Sequence, residues 1–154
     1  MKRLFVRLSK TALTMVCMIV AFAVVILIAA MIFDSPTANI QRRTGFWCHR
    51  VPVHEYNFDD VGHGREFDTI DIYELKGHDA KRFTDFANSN VAWNPLPLDA
   101  SSNFDGLAIL SFDSHMEDML TCPNGYWHSS DDHPRILCVF DSENNKLFIR
   151  MRTW

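Results

Sequence analysis

Glycine is scarce in this chain of 154 residues, six in all, and between Ala12 and Phe33 both glycine and charge are missing altogether. Each absence excludes something. A stretch of that length without Asp, Glu, Lys or Arg, broken only by Thr14 and Cys17, is not the surface helix of a small soluble domain, because such a helix keeps one wet face. Without glycine it also has no GxxxG spacing to bring two such helices together. Neither GxxxxGK[ST] nor GxGxxG occurs, and Gly62-His63-Gly64 lacks the strand, turn and helix around it, so the usual phosphate loops are excluded. There is no GxSxG elbow, no HExxH and no Cys-x-x-Cys pair, and none of the asparagines opens an N-x-[ST] acceptor.

What the chain does have is the apolar run itself. As a helix rising 1.5 Å per residue, Ala12 to Phe33 would extend roughly 33 Å against a hydrocarbon core of about 30 Å. The reading is a transmembrane helix over 12–33, a signal-anchor that is retained. A cleaved signal has an apolar stretch of only about 7–15 residues and small residues around its cut; here Ile28 or Pro36 would occupy the third position before the available cuts. A secreted domain released by signal cleavage is the alternative. Lys2, Arg3, Arg7 and Lys10 precede the run without an acid and Asp34 follows it. The positive-inside rule then makes 1–11 cytoplasmic and the C-terminal portion extracytoplasmic, the topology of a single-pass protein of the cell membrane.

The formal net charge is −4, and setting aside the four N-terminal cations leaves the rest more acidic still. That balance argues against nucleic acid, and against an anionic membrane surface, as the main partner. All seven histidines lie beyond the apolar run. Of the four cysteines, Cys17 is inside the run, while Cys48, Cys122 and Cys138 would face an oxidising compartment. Cys122 with Cys138 is the favoured disulfide, its loop worth roughly 3 kcal/mol on the chain-entropy model, with Cys48 left over.

Along the chain, 34–45 reads as a polar juxtamembrane linker and 46–66 as irregular, with a short strand near Val51 to Val53. Thr69 to Leu75 alternates as a strand, with Ile70 and Ile72 opposite Asp71 and Tyr73. Ala80, Phe83 and Ala87 mark a helix of about three turns with Asp79 as its N-cap. Trp93 to Leu98 is an extended crossing, since Pro95 and Pro97 deny backbone donors. Leu107 to Phe112 is a short apolar run of either type, and Ser114 with Glu117 opens a short helix. Tyr126–Ser129, Arg135–Asp141 and Lys146–Trp154 form an antiparallel meander, with Arg135–Asp141 central because both its faces are apolar. The fold class is therefore α+β, one domain over 46–154 behind an N-terminal span. In the last strand Leu147, Ile149 and Met151 face the core, leaving Phe148, Arg150, Arg152 and Trp154 as a mixed surface for a partner. The ending GYW…CVFDSENNKLFIR resembles that of small bacterial single-span membrane proteins. The resemblance covers the C-terminal part of the chain, implies a bacterial membrane setting and brings no activity.

Two constellations invite chemistry. His128, Asp131 and His133, with His54 as a further donor, would make a zinc site for a metal-assisted hydrolase; the competing reading is a polar hairpin turn whose Asp side chains bond nearby amides. Cys48-His49 with His54-Glu55 suggests an imidazole-activated thiolate or ligands for zinc, but adjacent residues of an extended chain point to opposite faces, so Cys48 and His49 do not easily cooperate. With no catalytic constellation, the expected function is a membrane-anchored extracytoplasmic binding or accessory module on an envelope partner. It needs no cofactor, and the zinc hydrolase is the alternative.

Overall fold

A computed structural model describes residues 2–61, 67–98, 114–130 and 134–153. The first element, α1 (Lys2–Phe33), contains the apolar run: Thr14–Phe33 has a mean hydropathy of 3.2 and none of it is buried against the rest of the chain. Its 20 residues reach about 30 Å, long and apolar enough to cross a membrane. A membrane anchor and a signal sequence share these properties.

Residues 34–45 are not a linker. They fold as α2 (Pro36–Thr44), capped at both ends: the Ser35 hydroxyl accepts from the Ala38 amide at 3.3 Å, Pro36 sits in the first turn, and Gly45 closes the helix in the left-handed region at φ 77°. Ile40 is fully buried in the core. The last carbonyls of α1 are satisfied from the same segment, Ser35 Oγ donating to Ile32 O at 2.8 Å and Arg42 Nη2 to Phe33 O at 2.9 Å. Only a two-residue turn separates the apolar helix from a helix that belongs to the domain.

Behind α2 lies a six-stranded antiparallel sheet, ordered β1-β2-β6-β5-β4-β3. The strands are β1 (Val53–Val61), β2 (Phe67–Glu74), β3 (Asn94–Pro95), β4 (Gly125–Ser130), β5 (Arg135–Asp141) and β6 (Lys146–Arg152). The expected meander is β4-β5-β6, with β5 inside it as its two apolar faces require. The segment expected to be irregular holds β1, a strand of nine residues that pairs with β2 on either side of Glu55. Gly125 is needed at the start of β4: at φ 140°, a Cβ there would lie 1.8 Å from the Phe140 carbonyl oxygen.

Both faces of the sheet are covered. On the first, α2 and α3 (His78–Ser89) pack Ile40, Phe83 and Ala87 over Tyr73, Cys138, Phe140, Leu147 and Ile149. Phe83 is the centre, with ring centroids 4.6 Å from Phe140, 4.9 Å from Phe46 and 5.1 Å from Trp93. On the second, α4 (Ser114–Leu120) and the residues after it bring Met119 and Cys122 onto Ile70, Ile72, Leu137, Val139 and Phe148.

Three expectations fail for reasons visible in this layering. Cys122 belongs to the second face and Cys138 to the first, so the sheet lies between them, and all four cysteines are free. Phe148 and Arg150 are not a partner surface, since each is only 3 % exposed: α4 lies over Phe148, and Asp68 of β2 neutralises Arg150. Arg152 is half-buried, and Trp154 lies outside the described residues. Asp79 does not cap α3, whose N-cap is Gly77 without a side-chain bond.

Asp79 instead ties the loop after α2 to α3, accepting from the Arg50 amide at 2.7 Å and from Arg82 Nη1 at 2.8 Å. Burial pushes its carboxyl up, but hydrogen bonds from the Arg50 and His49 backbone and from the Arg82 guanidinium outweigh it and hold the pKa below the ordinary value. A depressed folded-state pKa contributes stability that is complete above the unfolded value, about 3.9, and is lost as pH falls through the folded one. Asp79→Asn is therefore expected to flatten the acid limb of the melting-temperature profile below about pH 4. Parallel acid limbs in variant and wild type would contradict the assignment.

Candidate functional cleft

One irregularity in β1 organises the polar chemistry of this domain. Side chains of a strand alternate between faces, yet His54 pairs with Tyr73 and Tyr56 with Ile72, a register shift across Glu55. This bulge lets consecutive residues serve both faces: His54 and Asn57 turn to the α2 side, and Glu55 and Tyr56 to the α4 side.

On the α4 side the result is a cleft of about 590 Å³, within the usual range for small-ligand sites. Ile72, Phe148 and Pro123 form its apolar part, and Glu55, Tyr56, His115, Asp118 and Lys146 its polar rim. Lys146 Nζ is 2.9 Å from Glu55 Oε2. That hydrogen bond, with the fields of Glu55, Asp118 and Glu74, outweighs desolvation and raises the lysine pKa. His115 lies with its ring 4.2 Å from that of Tyr56 and its Nδ1 3.8 Å from Asp118. Asp141, also on the wall, is committed to the β5–β6 turn: its Oδ1 accepts from the Glu143 and Asn144 amides at 2.9 and 3.1 Å. Burial first, then the charge of Asp141, pushes the Cys122 thiol up to about 12, so it carries no thiolate nucleophile at neutral pH.

On the α2 side, Asp71 is buried and saturated. It accepts from His54 Nε2 at 2.9 Å, Asn57 Nδ2 at 2.9 Å and Asn39 Nδ2 at 3.3 Å, while Asn39 also donates to the Tyr73 hydroxyl at 2.6 Å. The His54 ring stacks on Tyr73 at 4.8 Å. Together these bonds make one polar cluster centred on Asp71. Its work is to fasten α2, through Asn39, onto β1 and β2.

Of the residues expected to bind zinc, His128 and His54 lie among the described residues, and these two stand apart. His128 is on β4, its Nδ1 donating to the Ala92 carbonyl at 2.9 Å and its ring 5.5 Å from Trp93. His54 is on β1, four strand spacings away, about 19 Å across the sheet. Asp131 and His133 lie outside the described residues. Among the described residues no group of three His, Cys, Asp or Glu is placed to hold a metal ion.

Of the polar groups of the cleft, Tyr56, His115 and Lys146 carry no mark of a site in the sequence. Nothing in VHEYNF marks a bulge, and without it Tyr56 falls on the wrong face. Set against family models, curated proteins and solved structures, the chain has no match, so the cleft and its neighbours rest on their own geometry.

Proposed function

We propose that this protein is a single-pass membrane protein, its N-terminus in the cytoplasm, that holds a small α+β binding module against the far side of the bilayer. The observation that carries this reading is the naked apolar helix: Thr14–Phe33 has no buried residue, although the domain has a core of its own. Exposing that much continuous apolar surface to water is costly, roughly 25 cal/mol per Å², and a bilayer removes the cost. Lys2, Arg3, Arg7 and Lys10 ahead of the span favour the stated orientation. The cleft on the α4 side is the surface that meets a ligand or an envelope partner, because it combines a concave volume with convergent polar groups.

The chain is expected to stay in the membrane fraction after alkaline carbonate extraction at its full mass, and a C-terminal alkaline phosphatase fusion to be active. A soluble chain shortened from the N-terminus would replace the anchor by a cleaved signal. An inactive C-terminal fusion would reverse the orientation.

A further inference from the structure

Although the chain is acidic as a whole, its cations are not evenly spread. Arg42 is exposed on α2, Arg50 is in the loop that follows, and Lys76, Lys81 and Arg82 surround the first turn of α3; Arg43, also on α2, is half-buried and faces inward toward Asp71 and Tyr73. Hydrogen bonds join the loop after α2 to the start of α3: the Arg50 amide bonds Asp79 at 2.7 Å, and Arg82 Nη1 bonds Asp79 at 2.8 Å and reaches the Trp47 carbonyl at 3.5 Å. The one acid within these segments, Asp79, is buried and offsets the charge of Arg82. The same loop carries two apolar side chains that the core does not use, Trp47, 51 % exposed, and Val51, 70 % exposed.

The position of this surface relative to α1 is fixed by Arg42. A side chain from the last turns of α2 reaches the carbonyl of Phe33, the last residue of α1, at 2.9 Å. That contact requires α2 to fold across the end of α1 instead of continuing away along its axis. The surface therefore sits beside the point where the apolar helix ends.

We propose that α2, the loop through Trp47 and Val51, and the start of α3 rest on the bilayer that α1 crosses, with the arginines and lysines on anionic phospholipid headgroups. The chemistry fits such a partner. Tryptophan prefers the headgroup level, where its ring is half in apolar surroundings and its N–H is wet. Arginine and lysine extend charged ends toward phosphate while their stems cover apolar surface. The acidic remainder of the domain, the cleft rim with Glu55, Asp118 and Asp141 included, is repelled by the same lipids and turns away from them. Overall composition argues against an anionic membrane surface as partner, and the fold reverses that expectation by segregating charge. This inference rests on the reading of α1 as a membrane span.

The test uses the full-length chain carrying Cys17→Ser and Val51→Cys, labelled with an environment-sensitive fluorophore, in nanodiscs of phosphatidylcholine alone or with phosphatidylglycerol added. Co-elution with the discs reads the anchor separately from the docking. Acrylamide quenching of the label is expected to fall about threefold when the anionic lipid is present at low salt, and to recover in high salt, as a headgroup contact requires. Arg50→Gln with Lys76→Gln and Lys81→Gln should abolish the difference while leaving co-elution intact. Equal quenching in both discs, with the chain retained, would overturn the lipid assignment; that is also the outcome if this surface serves an acidic protein instead. A chain that does not co-elute would sink the anchor itself.

Discussion

Phe83→Ala is expected to cost about 3–5 kcal/mol of folding stability, a large share of the 5–15 kcal/mol typical of a domain. Phe83 is fully buried on α3, where its ring meets those of Phe46, Phe86, Trp93 and Phe140. Alanine removes the ring and leaves a cavity that cannot collapse, because its walls come from four separate places: the loop after α2, the end of α3, the segment before β3, and β5. Phe83→Leu fills much of that space and should cost under about 1.5 kcal/mol. Denaturant unfolding of the detergent-solubilised full chain reads both. A loss below about 1 kcal/mol for the alanine variant, or equal losses for the two, would mean that α3 is not held by this cluster.

The second large effect concerns charge. Asp68→Ala is expected to destabilise the domain by about 3–5 kcal/mol, the range for removing one partner of a buried ion pair. Arg150 is 3 % exposed, with its Nε 2.9 Å from Asp68 Oδ1 and its Nη2 on Oδ2, a bidentate arrangement that leaves Nη1 without a partner. Without Asp68 the guanidinium would keep its charge among Ile70, Leu137 and neighbouring backbone with nothing to balance it. Adding Arg150→Met to Asp68→Ala should recover most of the loss, since an apolar chain of similar length carries no desolvation cost. An Asp68→Ala variant as stable as wild type would show that water or another group reaches Arg150. A double variant no better than the single would place the effect in Asp68 itself.

This ion pair also explains why the last strand misleads when read alone. Arg150 and Arg152 alternate with apolar residues in KLFIRMR, the ordinary mark of a solvent-facing side. Such a pattern cannot reveal that β2 places Asp68 beside Arg150 across 82 positions of sequence. For α2 the signals were present: Ser35 ahead of Pro36 and Gly45 at the end mark a helix. They were outweighed because Ile40 is its one strongly apolar residue, and a single buried side chain makes no period.

The sequence by itself determined whatever depends on local pattern. The long uncharged run, the alternation in TIDIYEL, the two apolar faces of RILCVFD and the polar turn SENN each carry their meaning within a dozen residues, because helix and strand periods are local properties of the backbone. Only the tertiary structure decided the rest. Whether Cys122 meets Cys138 depends on which side of the sheet each occupies. Whether Tyr56 joins His54 or Glu55 depends on one extra residue in β1, since a one-residue slip moves every later side chain to the other face. The gathering of arginines and lysines beside the end of α1, in a chain whose total charge has the opposite sign, depends on α2, the loop after it and α3 being folded together by Asp79 and Ile40. Charge adds along a sequence, but its field is set by where folding leaves each group.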